Sequence, residues 1–259
     1  GMTRPLLVTD PGLAPLPAVE TVVARNEEAG LPTRLYADVK GNPVGKNVDD
    51  GVVAYREAGC DGVIALGGGS ALDVGKAVAL MVGQRRPMWD FEDIGDYWTR
   101  VDEHRMAPVI TVPTTAGTGS EVGRSSVIAR EDEGNRKVIV FHPKMMPAIA
   151  LCDPALTVSL PKKLTAATGM DALSHSLEAW CARGFHPTAD GIALEGIRLV
   201  AGHLQRAVSE PEDLEARSAM LAASLMGATA FQKGLGAMHA MSHPIGARLG
   251  AHHGEINAV

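Results

Sequence analysis

Strand-forming segments alternate with helical ones up to Asp153-Pro154, and beyond that turn every apolar pattern is helical. This change of character restricts the fold more than any other feature of the chain. Short apolar runs at 6–9, 33–36, 62–66, 109–112 and 148–151 read as strands. Residues 18–29, 48–58 and 71–81 carry helical spacing between them. A strand-helix-strand order favours a mostly parallel sheet with helices on both faces, because each helix returns the chain to the edge where the next strand starts. The spacing predicts further helices over 161–182, 189–207, 212–231 and 238–248, punctuated by Gly184, Pro187, Pro211, Gly234 and Gly236. The expected fold is an α/β N-terminal domain at 1–157, Rossmann-like with a mostly parallel sheet, and an all-helical C-terminal domain at 158–259.

Composition excludes several classes of function. A net charge of −6, with no basic run and no interleaved aromatics, argues against a nucleic-acid partner. Hydrophobic residues make up 46% and aromatics only 4%, so the core is aliphatic. Cys60, Cys152 and Cys181 are far apart and form no CxxC, which suits a reducing cytoplasm. The start lacks the apolar stretch of a signal peptide, and no apolar run reaches membrane-spanning length, so no membrane association is expected.

Gly67-Gly68-Gly69-Ser70 lies between a buried strand and a helix. Glycine lets the backbone approach a phosphate, and a helix N-terminus offers N–H groups and a positive partial charge. Ser70 is placed to cap that helix, with Asp73 where a capping box carries its acid. The plain alternative is a tight, well-capped turn with nothing bound. The motif is not GxGxxG and follows the third strand, so the standard dinucleotide fingerprint is absent. Pro113-Thr114-Thr115-Ala116-Gly117-Thr118-Gly119-Ser120 is a second loop rich in glycine and hydroxyls, again after a strand. Two such loops at the C-terminal ends of strands fit a ligand at the edge of a parallel sheet.

The helical part carries metal-type side chains at ligand spacing. Asp171 and His175 are four apart, as are His239 and His243, so each pair shares a helix face, and His253 is expected in the loop beyond. Carboxylate plus imidazole suits Fe(II) or Zn(II) better than Mg or Ca. Three histidines and one Asp supply four ligands and leave one histidine for proton transfer; the spacing does not say which. The competing reading makes Asp171 a helix cap and His252-His253 an exposed loop pair, as His104, His142, His186 and His203 are expected to be structural or solvated. His239-x3-His243 also has zincin spacing, but Ala240 stands where the general-base Glu belongs.

Taken together, these stretches resemble the iron-containing, or group III, alcohol dehydrogenase family. The resemblance rests on Val8-Thr9-Asp10, Gly67-Gly68-Gly69-Ser70 with Asp73 and Lys76, 113–121, Asp153-Pro154, 169–175, His239-Ala240-Met241-Ser242-His243-Pro244, His253-Gly254 and Asn257-Ala258. It implies a dehydroquinate synthase-like fold and hydride transfer between a nicotinamide cofactor and a small primary alcohol or aldehyde. It implies Fe2+, with Zn2+ as the alternative, on Asp171, His175, His239 and His253, and releases His243 for proton transfer. The cofactor would lie on Gly68, Gly69 and Ser70, with Thr114, Thr115 and Thr118 completing its cleft. Asp73 belongs to the same motif, and Asn42, in Gly41-Asn42-Pro43-Val44, to a loop near the cofactor. Asp10 would accept from the adenosine ribose and repel a 2′-phosphate, which favours NAD over NADP. The resemblance further implies a homodimer or higher homo-oligomer, and leading and trailing segments beyond those of this chain. The alternatives are a metal- and NAD-dependent lyase of the dehydroquinate synthase type and a truncated, non-catalytic nucleotide-binding remnant.

Overall fold

The strands that the sequence alternates with helices form one parallel sheet. The computed structural model describes residues 1–249 and 253–258; His252 lies outside the described residues. Strands β1 (Pro5–Val8), β2 (Arg34–Tyr36), β3 (Gly62–Gly67), β4 (Val109–Pro113) and β7 (Ile149–Ala150) lie in the order β2-β1-β3-β4-β7, every pair parallel. Leu7 pairs with Leu35 on one side and Ile64 on the other. Helices α1 (Pro17–Glu28), α2 (Gly45–Glu57) and α3 (Gly69–Met81) make the crossovers. Leu6, Leu7 and Val8 are fully buried, as central strands covered on both faces require. Each such side chain contributes about 1.5–3 kcal/mol through burial.

The chain leaves β1 for β2 on one side and returns to β3 on the other. The ends of β1 and β3 therefore form a topological switch point, where open parallel sheets bind ligands. Asp10 follows β1 there, and the glycine turn follows β3.

A hairpin not foreseen from the sequence joins this unit. Strands β5 (Ser125–Arg130) and β6 (Arg136–Phe141) pair antiparallel, turning through Gly134 and Asn135 at φ 69° and 62°. It is fastened to α3: the Ser126 hydroxyl donates to the Asp73 carbonyl, Val127 N donates to the Asp73 carboxylate, and the buried Lys76 ammonium donates to the Ser125 carbonyl.

The second unit is helical: α4 (Lys162–Cys181), α5 (Pro187–Ser209), α6 (Leu214–Ala230), α7 (Ala237–Leu249) and the short α8 (His253–Asn257). The two compact units are Gly1–Pro113 with Gly123–Leu151, and Thr114–Val122 with Cys152–Val259. The chain passes from the first unit to the second at 151–152, and the loop after β4 belongs with the helices. Ala116 joins the core of the helical unit with Ala172, Val200, Met220 and Leu221. Among the described residues, no helix is long and apolar enough to cross a membrane.

Candidate metal centre

Helix α4 carries Asp171 and His175 one turn apart, and both are buried. Asp171 lies in the third turn, so it does not cap the helix. Helix α7 brings His239 to the same place. His253 opens α8 rather than sitting in a loop, and α8 lies close against α4 because Gly254 has no side chain: a Cβ there would stand 2.2 Å from the Ala167 carbonyl oxygen.

Three imidazoles converge on one carboxylate oxygen. The Nε2 atoms of His175, His239 and His253 lie 3.8, 3.8 and 3.6 Å from Asp171 Oδ1. These separations are too long for hydrogen bonds. They match donors sharing an ion, since two ligands each about 2.1 Å from a tetrahedral centre stand about 3.4 Å apart. Asp171, His175 and His239 meet the spacing of a metal cluster.

The outer nitrogens of two rings are held. His175 Nδ1 lies 3.2 Å from the Gly117 carbonyl oxygen, and His239 Nδ1 lies 2.5 Å from Glu178 Oε2. An acceptor at Nδ1 puts the proton there and turns the Nε2 lone pair inward, as metal-ligating histidines require. Burial pushes the His175 pKa down, against the pull of Asp171. Burial pushes the Asp171 carboxyl up. The facing His175, His253 and His239, with the Asn257 amide, outweigh this and hold it below the ordinary carboxylate value.

Asn257, on α8, gives the clearest sign of fit. Its Nδ2 donates to Asp171 Oδ1 at 2.7 Å and lies 3.2 Å from His253 Nε2 and 3.4 Å from His239 Nε2. The positive end of an amide dipole thus faces the donors that would surround a cation. Its Oδ1 is buried with no hydrogen-bond partner. His243 stands to one side, half-buried, its ring centroid 5.9 Å from that of His239 and 5.2 Å from that of His253. Elsewhere, His142 and His186 cap helices through Nδ1, His203 bonds the Leu199 carbonyl, and His104 is exposed.

In the α/β unit, Gly68 rather than Ser70 is the N-cap of α3, with no side-chain cap. Ser70 instead donates to the Gly41 carbonyl at 2.8 Å, which draws the loop with the exposed Asn42 beside the glycine turn. Asp10 Oδ1 accepts from Gly12 N and Leu13 N; its Oδ2 lies 3.5 Å from where a side chain on Gly67 would begin. The Asp73 carboxylate accepts from β5 and faces Lys76, so it acts as a brace rather than a capping-box acid. In the loop of the helical unit, Thr114 is buried, Thr115 is half-buried, and the Thr118 hydroxyl accepts from Ser120 N.

Residues 1–154 match the family described as iron-containing alcohol dehydrogenase, and residues 165–259 match the C-terminal domain of the same family. The chain belongs to the iron-containing alcohol dehydrogenase family. A 4-hydroxybutyrate dehydrogenase of Cupriavidus necator is 42% identical over the whole chain, which covers 68% of that protein. An NAD-dependent methanol dehydrogenase of Bacillus methanolicus is 36% identical, again over the whole chain and 67% of its own length. A crystal structure of a 1,3-propanediol oxidoreductase superposes with a TM-score of 0.94 at 36% identity, covering all of this chain and 66% of that one. The chain therefore spans about two thirds of the length of these iron-containing alcohol dehydrogenases.

Sequence reasoning missed three groups of the site. Glu178 was open to detection: it lies three residues beyond His175 and seven beyond Asp171, on the same face of α4. Asn257 entered only as part of a motif. The Gly117 carbonyl is a backbone group with no sequence signature.

Proposed function

We propose that this chain is a metal-dependent oxidoreductase that transfers a hydride between NAD(H) and a small primary alcohol or aldehyde. The observation that carries the reading is the convergence of three imidazole Nε2 atoms on Asp171 Oδ1. The named relatives act on 4-hydroxybutyrate, methanol and 1,3-propanediol, which share a primary hydroxyl, and this favours hydride transfer over a lyase.

A divalent ion, Fe2+ or alternatively Zn2+, held by Asp171, His175, His239 and His253 supplies Lewis acidity toward a substrate oxygen, while a nicotinamide carries the hydride. The chain contributes neutral, oriented imidazoles and one buried carboxylate that balances part of the charge. His243, beside the ligands and partly open, passes a proton between the substrate hydroxyl and solvent. Gly68, Gly69 and Ser70, at a helix start with no side-chain cap, offer backbone N–H groups to a pyrophosphate. Asp10 Oδ2, beside Gly67 at the switch point, accepts from a ribose 2′-hydroxyl and repels a 2′-phosphate, which favours NAD over NADP. Asn42 borders this turn, and Asp73 holds α3 in place behind it. The three free cysteines suit a cytoplasmic setting, and the family resemblance suggests a homodimer or higher homo-oligomer; light scattering checks the latter.

Metal analysis combined with NADH absorbance and short aldehydes tests the assignment. His239→Ala should lower both metal content and turnover, and undiminished turnover without metal sinks the reading. His243→Ala should keep the metal and slow turnover by about 100-fold. Loss of metal in that variant would instead make His243 a ligand.

A further inference from the structure

Glu178 touches helix α7 in two ways at once. Its Oε2 lies 2.5 Å from His239 Nδ1, and its Oε1 accepts from Met238 N at 2.6 Å. Oε2 also accepts from His239 N at 3.4 Å. One buried carboxylate on α4 therefore holds both the first-turn backbone of α7 and the ring that this turn carries.

A neutral imidazole has one N–H and one lone pair, and the two nitrogens compete for the proton. An ionised carboxylate only accepts. Placed at Nδ1, it stabilises the Nδ1–H tautomer and leaves the lone pair on Nε2, the atom that faces Asp171 Oδ1. His175 receives the weaker version of this from the Gly117 carbonyl at 3.2 Å. The bonds to Met238 N and His239 N also fix where the Cα of His239 stands, so backbone and ring are set together.

We infer that Glu178 is the positioning residue of the centre: it fixes the tautomer and orientation of His239 so that Nε2 points at Asp171. The consequence for metal affinity rests on the proposed metal site; the tautomer does not.

Glutamine is the informative replacement. Its side chain has the same shape, but one terminal atom becomes an NH2 group. With its oxygen on Met238 N, the NH2 faces Nδ1 and demands a lone pair there, which drives the proton to Nε2. The experiment uses the full chain with 15N-labelled histidine, in parent, Glu178→Gln and His239→Ala forms. Nitrogen chemical shifts report the His239 tautomer without metal, and competition with a chelator reports the affinity for Co2+ and Zn2+. The parent should show Nδ1–H. Glu178→Gln should populate Nε2–H and lose 10- to 100-fold in metal affinity. An Nε2–H ring in the parent overturns the inference without any variant. An unchanged tautomer in Glu178→Gln also overturns it, as does unchanged affinity there when His239→Ala does lose metal. Unchanged affinity in His239→Ala refutes the metal site instead.

Discussion

Two glycine-rich loops leave the C-terminal ends of neighbouring strands, Gly67–Ser70 after β3 and Thr114–Ser120 after β4, and their backbones serve different ends. In the first, Gly67 takes φ 149°, and the turn opens directly into α3 with no side-chain cap. Its N–H groups remain suited to an anion. In the second, a Cβ on Gly117 would stand 2.6 Å from the Thr168 carbonyl oxygen, and one on Gly119 would stand 2.1 Å from Ala228 Cβ. The Gly117 carbonyl is then committed to His175. The same composition gives a cradle in one place and a packed support for a metal ligand in the other. What separates them is the destination of the backbone polar groups, not the glycine count.

Gly119→Ala puts the largest strain on this comparison. The residue sits at φ 62° with Ser224 O 2.9 Å from its virtual Cβ as well. Overpacking and left-handed strain together cost on the order of 3 kcal/mol. Tm should fall by roughly 10 °C, and metal affinity should weaken because the loop no longer orients His175. Parent-like melting would return this loop to the same standing as the first. Gly67→Ala, whose Cβ would meet that of Ala71 at 2.8 Å, should cost about 1–3 kcal/mol and weaken NADH binding. Metal affinity should not change in this variant, and a parallel loss there would erase the distinction. Ser70→Ala is milder: it removes one hydrogen bond to the Gly41 carbonyl, about 1 kcal/mol by urea melting. A larger loss would mean that the serine does cap α3.

The contrast also explains what could be read in advance. Asp171 and His175 were legible because a helix turns spacing into adjacency, and the β1, β3 and β4 runs because buried parallel strands are continuously apolar. The β5–β6 hairpin escaped because it forms a two-stranded sheet of its own, outside the strand-helix-strand order of the parallel sheet. Helix α8 is five residues long, too short for any period to show. The place of 114–122 was not legible because it packs with helices far along the chain. Glu178 shares a face of α4 with Asp171 and His175, but what it holds is set only when α7, some 60 residues on, delivers Met238 and His239 to it.

The smallest effect concerns the strand pair that frames the first loop. Asp61, at the turn before β3, accepts from Arg4 N, Thr3 N and the Thr3 hydroxyl, tying the start of β1 to that of β3. The Arg4 N–H foremost, then the Thr3 hydroxyl, hold its carboxyl below the ordinary value. A carboxylate lowered by folding contributes its stability above the unfolded pKa of about 3.9 and loses it as pH falls through the folded pKa. Asp61→Asn should therefore lower Tm near pH 6, on the order of 2 °C for so exposed a group. The gap from the parent should close as the pH falls through the folded pKa of the parent carboxylate, where that group is protonated too. Metal affinity should be untouched, because Asp61 serves the sheet and not the helices. A gap of constant size across the whole acid range would show that Asp61 acts through shape alone and not through its charge.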